Sequence, residues 1–488
     1  DGIGRNDASQ RIVVFNTLSF GRTDVVRIAR TKLDEPFDLI DEATGNKVRH
    51  QIITLGGPQS PVPYAAYRYA RGAFEPHELK ALVFVAEEVP SLGYKTYRIA
   101  PGADTDSSSH SNRAGPSTLE NRFFQIALDR KTGGIRSVYD KQLGRELVDS
   151  TASHTVNQFV ARWVQSGDVQ GPASVEISQG CHGPVCTSVI VRARGAGCPQ
   201  ITQEITIYDR VKRVDFSNRL LKDSTPLLET YFAFPFNIDD PDFRFEGSNS
   251  VIKPFRDQFP GSNTNYYAVQ HWADVSDGKV GITLSGVESH LLEFGGLWPC
   301  YVSQAHHGVD PAGYGAPFVK PDEISKGHMY AFVMNSNFRT NFQPVQQSDI
   351  LFRYSFTAHK GDWCEGQCTQ FGWSVGNPLI AETIQGRKDG PLPVGRLSFC
   401  QIDQPNVLLT ALKQAEDGNG LILRLTETQG QESTATVTLP HVVITDVQRT
   451  NVVEEPRGEY SFTEHELRVP LRPFGIATCR ANIQPEVL

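Results

Sequence analysis

The chain has 488 residues, enough for two to four domains of ordinary size, and carries 47 basic against 55 acidic side chains for a formal charge of −8. It has no basic stripe to neutralise a phosphate backbone, and no apolar run approaches the ~18 residues of a membrane helix, so neither nucleic acid nor a membrane is expected as a partner. The start DGIGRNDASQ lacks both Met and an apolar signal core, and no Asn-x-Ser/Thr sequon occurs, so a soluble chain from a bacterial or otherwise non-glycosylated compartment is expected, with its true start elsewhere.

Period-two alternation predicts strands from the beginning. It runs through Arg11-IVVFN, Glu204-ITIYDRVKRVDF, Lys279-VGITLSG, Gly420-LILRLTET and Ser433-TATVTLP, with Gly, Pro, Asn and Asp turns between. Phe123-FQIALD and Ile135-RSVYD flank Arg130-KTGG, which predicts a hairpin whose glycines take positive φ. Long capped helical windows are scarce, so the chain reads as all-β. Residues 103–117, rich in Ser, Asp and Gly, have the composition of a linker. A softer boundary falls at Gly390-PLPVG. The expected domains are 1–102, a small sandwich; 118–392, a large two-sheet stack; and 393–488, a second small sandwich, the small ones of immunoglobulin-like size.

No catalytic set stands out. His306-His307 could converge on a metal from a loop, but on a strand the two rings would point to opposite faces, and no third ligand lies at a recognised spacing, so no protein-only metal site is expected. The eight cysteines form no CxxC pair; Cys364 and Cys368 are spaced CxxxC, and Cys181–Cys186 allows a local pairing. Neighbouring carboxylates at Asp239-Asp240, Glu454-Glu455, Glu87-Glu88 and Glu416-Asp417 lie in polar turn contexts and read as solvated loops. Nucleophile-elbow, Walker and dinucleotide motifs are absent. Tyr266, Tyr267, Trp272, Trp298, Tyr301, Phe338 and Trp363 could stack on a sugar, or simply fill the core between sheets. Met334-NSNFRTNF leads into the alternation Ile350, Phe352, Tyr354, Phe356; its neutral amides suit sugar hydroxyls and equally suit the backbone of a tight turn.

Leu119-ENRFFQIALDRKTGGIRSVYDKQLGRELVD resembles the opening of the large β domain of glycoside hydrolase family thirty-eight, the retaining zinc-dependent α-mannosidases. Other matches follow in order: Ile12-VVFNTLSFGRTDVV, Leu92-GYKTYRI, Ile207-YDRVKRVDFSNRL, Lys253-PFRDQFPGSNTNYYAVQHWADVSDG, Met334-NSNFRTNF, Val407-LLTALKQAEDGNGLILRLTETQG and Leu471-RPFGIATC. Ser336 and Phe338 stand where that family more often has Asn and Trp. The resemblance implies a galactose-mutarotase-like large sandwich and a role as the non-catalytic C-terminal part of an α-mannosidase-like hydrolase. It also implies that the nucleophilic Asp and the zinc ligands belong to an N-terminal barrel and helix bundle that this chain lacks. The expected partners are therefore that barrel, that bundle and an α-mannoside glycan, with a homo-oligomer also open; no cofactor is expected in this chain, which should be inactive alone. The substrate-facing candidates are Asn335, Asn337, Arg339 and Asn341. A free-standing carbohydrate-binding protein is the alternative; an aldose epimerase would need a convergent His and Glu, and no such pair is apparent.

Overall fold

A computed structural model describes residues 10–30, 36–55, 79–102, 111–298, 318–337, 343–384 and 390–485. Strands make up 58% of the described residues and helix 3%, so the fold is all-β, and it divides into paired sheets. Near the N-terminus, strand Arg11–Asn16 pairs antiparallel with Gly93–Pro101, and Phe37–Asp41 continues the sheet on the far side. A three-stranded sheet of Arg22–Arg30, Leu79–Val89 and His50–Leu55 covers it. Ile12, Val14, Val26, Leu39, Leu82 and Phe84 fill the space between.

Strand Leu79–Val89 is apolar on both faces, which period two makes possible only if both faces are covered. Leu82, Phe84 and Ala86 face the N-terminal core, whereas Ala81, Val83 and Val85 pack on Val185, Cys186 and Tyr208 of the large sandwich. Polar contacts reinforce this seam: Arg27 donates to the Tyr208 hydroxyl at 2.9 Å and Arg213 to Asp24 at 2.9 Å.

The large sandwich stacks a six-stranded sheet on a nine-stranded one, and the five-stranded sheet that begins at Arg113 closes one end. Aromatics dominate the shared core. Phe356 lies within 5.6–6.3 Å, centroid to centroid, of Phe236, Phe216 and Phe124, and all four are buried. Removing a phenylalanine side chain from water contributes about 1.5–3 kcal/mol, so this cluster is a main support of the domain. The predicted hairpin forms as Phe124–Leu128 and Ile135–Asp140. Asp129 accepts from the amides of Lys131 and Thr132, and Gly133 has φ 74° where a Cβ would meet Val191 at 2.5 Å, so the turn requires glycine. The C-terminal sandwich pairs a three-stranded with a five-stranded sheet around Leu423, Leu425, Val437 and Leu467.

The chain crosses between these units more than the expected boundaries imply. Ile380–Ile384, which falls within the large-sandwich span, pairs with Arg11–Asn16 in the N-terminal sheet, and Arg396–Ser398 adds to the same sheet beside Gly93–Pro101. Arg113–Gly115, within the linker span, is a strand; residues 103–110 lie outside the described residues. The one α-helix among the described residues, α1, spans Cys368–Gly376. Two expectations about side chains change. Glu454, read as a solvated turn residue, has its carboxylate turned inward to Lys413 at 2.8 Å and is 7% exposed. Trp272, a possible sugar platform, is fully buried and stacked on Trp363. Cys181 and Cys186 are free thiols on adjacent strands with their sulfurs 3.5 Å apart.

Candidate functional site

The six-stranded sheet has one face in the core and one face away from it, and the second face carries the chemistry. Along Leu228–Asp239, Leu228, Phe232, Phe234 and Phe236 enter the core, so period two turns Glu229, Tyr231 and Ala233 to the other side. The flanking strands repeat the pattern. On Gln158–Trp163, Phe159 and Ala161 face inward and Arg162 outward; on Leu291–Phe294, Leu292 and Phe294 face inward and Glu293 outward. Lys326–Asn335 lies between, pairing Tyr330 with Glu293 and Asn335 with Glu229.

Arg162, Glu229, Tyr231 and Glu293 form one hydrogen-bonded group with the backbone of Trp298. Arg162 donates to Glu229 at 3.1 Å and to the Trp298 carbonyl at 2.8 Å, Tyr231 donates to Glu229 at 3.2 Å, and Glu293 accepts from the Trp298 amide at 2.7 Å. Glu229 is 1% exposed and Glu293 fully buried. Burial pushes the Glu229 carboxyl up against the opposing pull of Arg162. Glu293 is pushed well above the usual carboxylate range, by burial first and by the nearby Glu229 as well. One oxygen of each, the Oε1 atom, has no hydrogen-bond partner among the described residues.

Farther along the same face, His154 Nδ1 lies 3.2 Å from the Tyr330 hydroxyl, and His328 Nε2 lies 2.9 Å from Asp149. Burial lowers the His154 pKa, aided by His328, and raises that of Tyr330 to about 12. The face can therefore offer neutral donors and acceptors together with two carboxyls biased toward the protonated form, a set suited to hydroxyl-rich ligands.

Two of the four amide-loop candidates fall at this corner. Asn335 ends its strand beside Glu229, and its Oδ1 accepts from the Asn337 amide at 2.9 Å, which is the turn-holding role. Asn337 is 1% exposed, and neither its Oδ1 nor its Nδ2 has a partner among the described residues. Arg339 and Asn341 lie outside the described residues, as do His306, His307, Tyr301 and Phe338. Of the other aromatics, Tyr267 is in the core, Tyr266 packs edge-on against Phe332 on the outer face, and Trp298 sits at the charged group. The sequence reading missed Arg162, Glu229 and Glu293. The available signal was a single carboxylate inside an apolar strand, in LLETYFAFPF and LLEF, where alternation alone calls for a hydrophobic or small residue.

Residues 119–289 match the model described as Glycosyl hydrolases family 38 C-terminal domain, and residues 406–479 match that of the Glycosyl hydrolases family 38 C-terminal beta sandwich domain. An alpha-mannosidase from Enterococcus faecalis V583 is similar in structure, with TM-score 0.69 and 17% identity over 98% of this chain and 56% of that one. A protein in the glycosyl hydrolase family 38 from Enterococcus faecalis gives TM-score 0.68 and 16% identity over 97% and 58% of the two chains. A putative aldose 1-epimerase from Escherichia coli K12 aligns at TM-score 0.31 and 9% identity, over 50% of this chain and 98% of its own. At these identities the likeness is one of fold, and the chain spans less than two thirds of the two Enterococcus structures. No curated protein sequence matches the chain. With two models of one family matched in chain order, one in the large sandwich and one in the C-terminal sandwich, the chain belongs to the C-terminal β region of glycosyl hydrolase family 38.

Proposed function

We propose that this chain is the non-catalytic β part of an α-mannoside hydrolase, and that the corner of the six-stranded sheet around Asn337 and Glu229 helps line its sugar cleft. The observation that carries this reading is the set of buried polar atoms there that have no hydrogen-bond partner among the described residues: both amide atoms of Asn337 and one oxygen each of Glu229 and Glu293. An unpaired buried amide or carboxyl costs about 1–3 kcal/mol, and hydroxyls of a bound glycan would offset that cost. Asn337 would bind as a neutral group, without ionic desolvation. The catalytic nucleophile and the zinc would come from a barrel-bearing part assembled with this chain, and the sandwiches would brace that barrel.

The test is Asn337→Ala and Asn335→Ala in the enzyme assembled with its barrel part. Asn337→Ala should lower kcat/KM for an aryl α-mannoside about tenfold or more with an unchanged Tm, because its amide makes no hydrogen bond among the described residues of the free protein. Asn335→Ala should lose about 1 kcal/mol of stability, the worth of one turn hydrogen bond. If Asn337→Ala instead lowers Tm and leaves kcat/KM intact, Asn337 holds a turn and the corner is not part of the cleft.

A further inference from the structure

At the opposite side of the large sandwich, three metal-ligating side chains from separate elements converge. Asp274 lies on strand Ala273–Ser276, His359 near the end of strand Ser348–Lys360, and Cys368 is the first residue of α1. Their donor atoms all lie within 4.8 Å of one another. His359 Nε2 is 2.8 Å from Asp274 Oδ1, and the Cys368 sulfur is 3.4 Å from that oxygen and 3.6 Å from that nitrogen. Asp274 and Cys368 are fully buried.

Three observations bear on what sits between them. First, His359 Nδ1 donates to the Lys360 carbonyl at 3.1 Å, which leaves Nε2 as the nitrogen that faces the carboxylate and the sulfur; without a metal it donates its proton to Asp274 at 2.8 Å. A backbone carbonyl fixing the far nitrogen is the usual outer shell of a metal-bound histidine. Second, Asp274 Oδ2 is buried without a partner among the described residues, and the single Thr283 hydroxyl, 2.9 Å from Asp274 Oδ1 and 3.0 Å from the Cys368 sulfur, can donate to only one of them. Third, the spacing suits a tetrahedral ion. Bonds of ~2.0–2.1 Å to N or O and ~2.3 Å to S put N and S about 3.6 Å apart and O and S about 3.5 Å apart. The N···O separation is shorter than the ~3.3 Å of that geometry and opens by about half an ångström on binding.

The histidine ring is also held in place. A Cβ at Gly281 would meet it at 2.2 Å and one at Gly366 at 2.4 Å, so two glycines clamp it from either side.

We propose that Asp274, His359 and Cys368 form a binding site for a zinc-like divalent cation, with the fourth position open to water or to Asp274 Oδ2. Binding displaces the His359 Nε2 proton and the Cys368 thiol proton to solvent as the nitrogen–metal and sulfur–metal bonds form; the Asp274 carboxylate and the Cys368 thiolate then balance the cation beside a neutral imidazole, so the buried site carries no net charge. The site ties α1 and the segment Gly361–Gln367, which carries Trp363, to the nine-stranded sheet.

The test is cobalt titration of this chain after exhaustive chelation. Co²⁺ should bind one equivalent per chain with a near-ultraviolet sulfur-to-cobalt charge-transfer band, lost in Cys368→Ser and retained in Cys364→Ser. Zn²⁺ should displace it and, at a 100-fold excess over Kd, raise Tm by roughly 5–10 °C. Absence of the band in the wild-type chain, its persistence in Cys368→Ser, or its loss in Cys364→Ser instead would each overturn the proposal. Since the wild-type titration is decisive by itself, a variant that fails to fold leaves the proposal testable.

Discussion

Replacing Arg162 by Met tests whether the outer-face group is electrostatically coupled. Among the described residues, Arg162 is the one cation hydrogen-bonded to Glu229, which is 1% exposed and has only the Tyr231 hydroxyl as a further donor. Methionine fills comparable volume and removes the charge. Breaking a buried pair by taking one partner costs about 3–5 kcal/mol at a pH where the other stays ionised, or roughly 6–20 °C in the transition of a unit of this size. The carboxyl has an escape, because burial already raises its pKa and loss of Arg162 raises it further. A carboxyl whose folded pKa lies above its unfolded value binds the extra proton in the native state. Stability therefore falls as pH rises from the ordinary carboxylate value through the folded one. The penalty for Arg162→Met should thus be larger at pH 8 than at pH 5, and adding Glu229→Gln should remove most of it at pH 8. Urea unfolding followed by tryptophan fluorescence at the two pH values measures this. A penalty below about 1 kcal/mol at pH 8, or one that does not change with pH, would refute the coupling.

Other perturbations separate packing from polar support. Phe356→Ala, at the centre of the large core, should cost about 3–5 kcal/mol in denaturant unfolding, and Phe356→Leu much less. Glu427→Gln should cost about 3 kcal/mol or more in the C-terminal sandwich, because its carboxylate accepts from the amides of Gln429, Gly430, Gln431 and Phe474 and from Asn406, and an NH₂ group would face donors. Burial works to raise the Asp215 pKa, but Arg213 and the hydroxyls of Ser355 and Tyr208 outweigh it and leave the pKa lowered. Its contribution is present above the unfolded carboxylate value of about 3.9 and is lost as pH falls through the depressed folded value. Asp215→Asn should therefore lower Tm at pH 7 and flatten the loss of Tm on acidification below pH 4.

Strand positions were legible because the alternation is a local property: in Ser433–Thr438 the buried Ala435 and Val437 alternate with the more exposed Thr434, Thr436 and Thr438, and declare their face without reference to a partner. Pairing partners were not legible. Ile380–Ile384 joins a strand more than 360 residues earlier, and its alternation is as compatible with the large sandwich as with the N-terminal one. The doubly apolar run from Ala81 to Ala86 shows the same limit, since such a run announces burial on both sides without saying which surfaces cover it. The Asp274, His359 and Cys368 group was invisible for a related reason. Its members are 85 and 9 residues apart, and two antiparallel pairings in series, Ala273–Ser276 with Val280–Gly286 and Val280–Gly286 with Ser348–Lys360, bring Asp274 to His359.

Two kinds of buried carboxylate in this chain carry different meanings. Glu427 is saturated: one oxygen takes Asn406 and Gln429, the other Gly430, Gln431 and Phe474, so the charge organises a turn and nothing remains to bind. Glu229 and Glu293 are buried to the same degree, yet each leaves an oxygen without a hydrogen-bond partner among the described residues, on the face of the sheet turned away from the large core. Replacing such a group by well-packed apolar residues is often neutral or stabilising, by about 1–4 kcal/mol. Stability alone therefore favours leucine at these positions, as it does at Leu228 and Leu292 beside them. On the proposed reading, a ligand rich in hydrogen-bonding groups completes the two glutamates and the Asn337 amide, whose Oε1, Oδ1 and Nδ2 atoms have no partner among the described residues, while Arg162 holds Glu229. The saturated Glu427 provides the internal contrast, because it needs no ligand and its replacement should change stability alone.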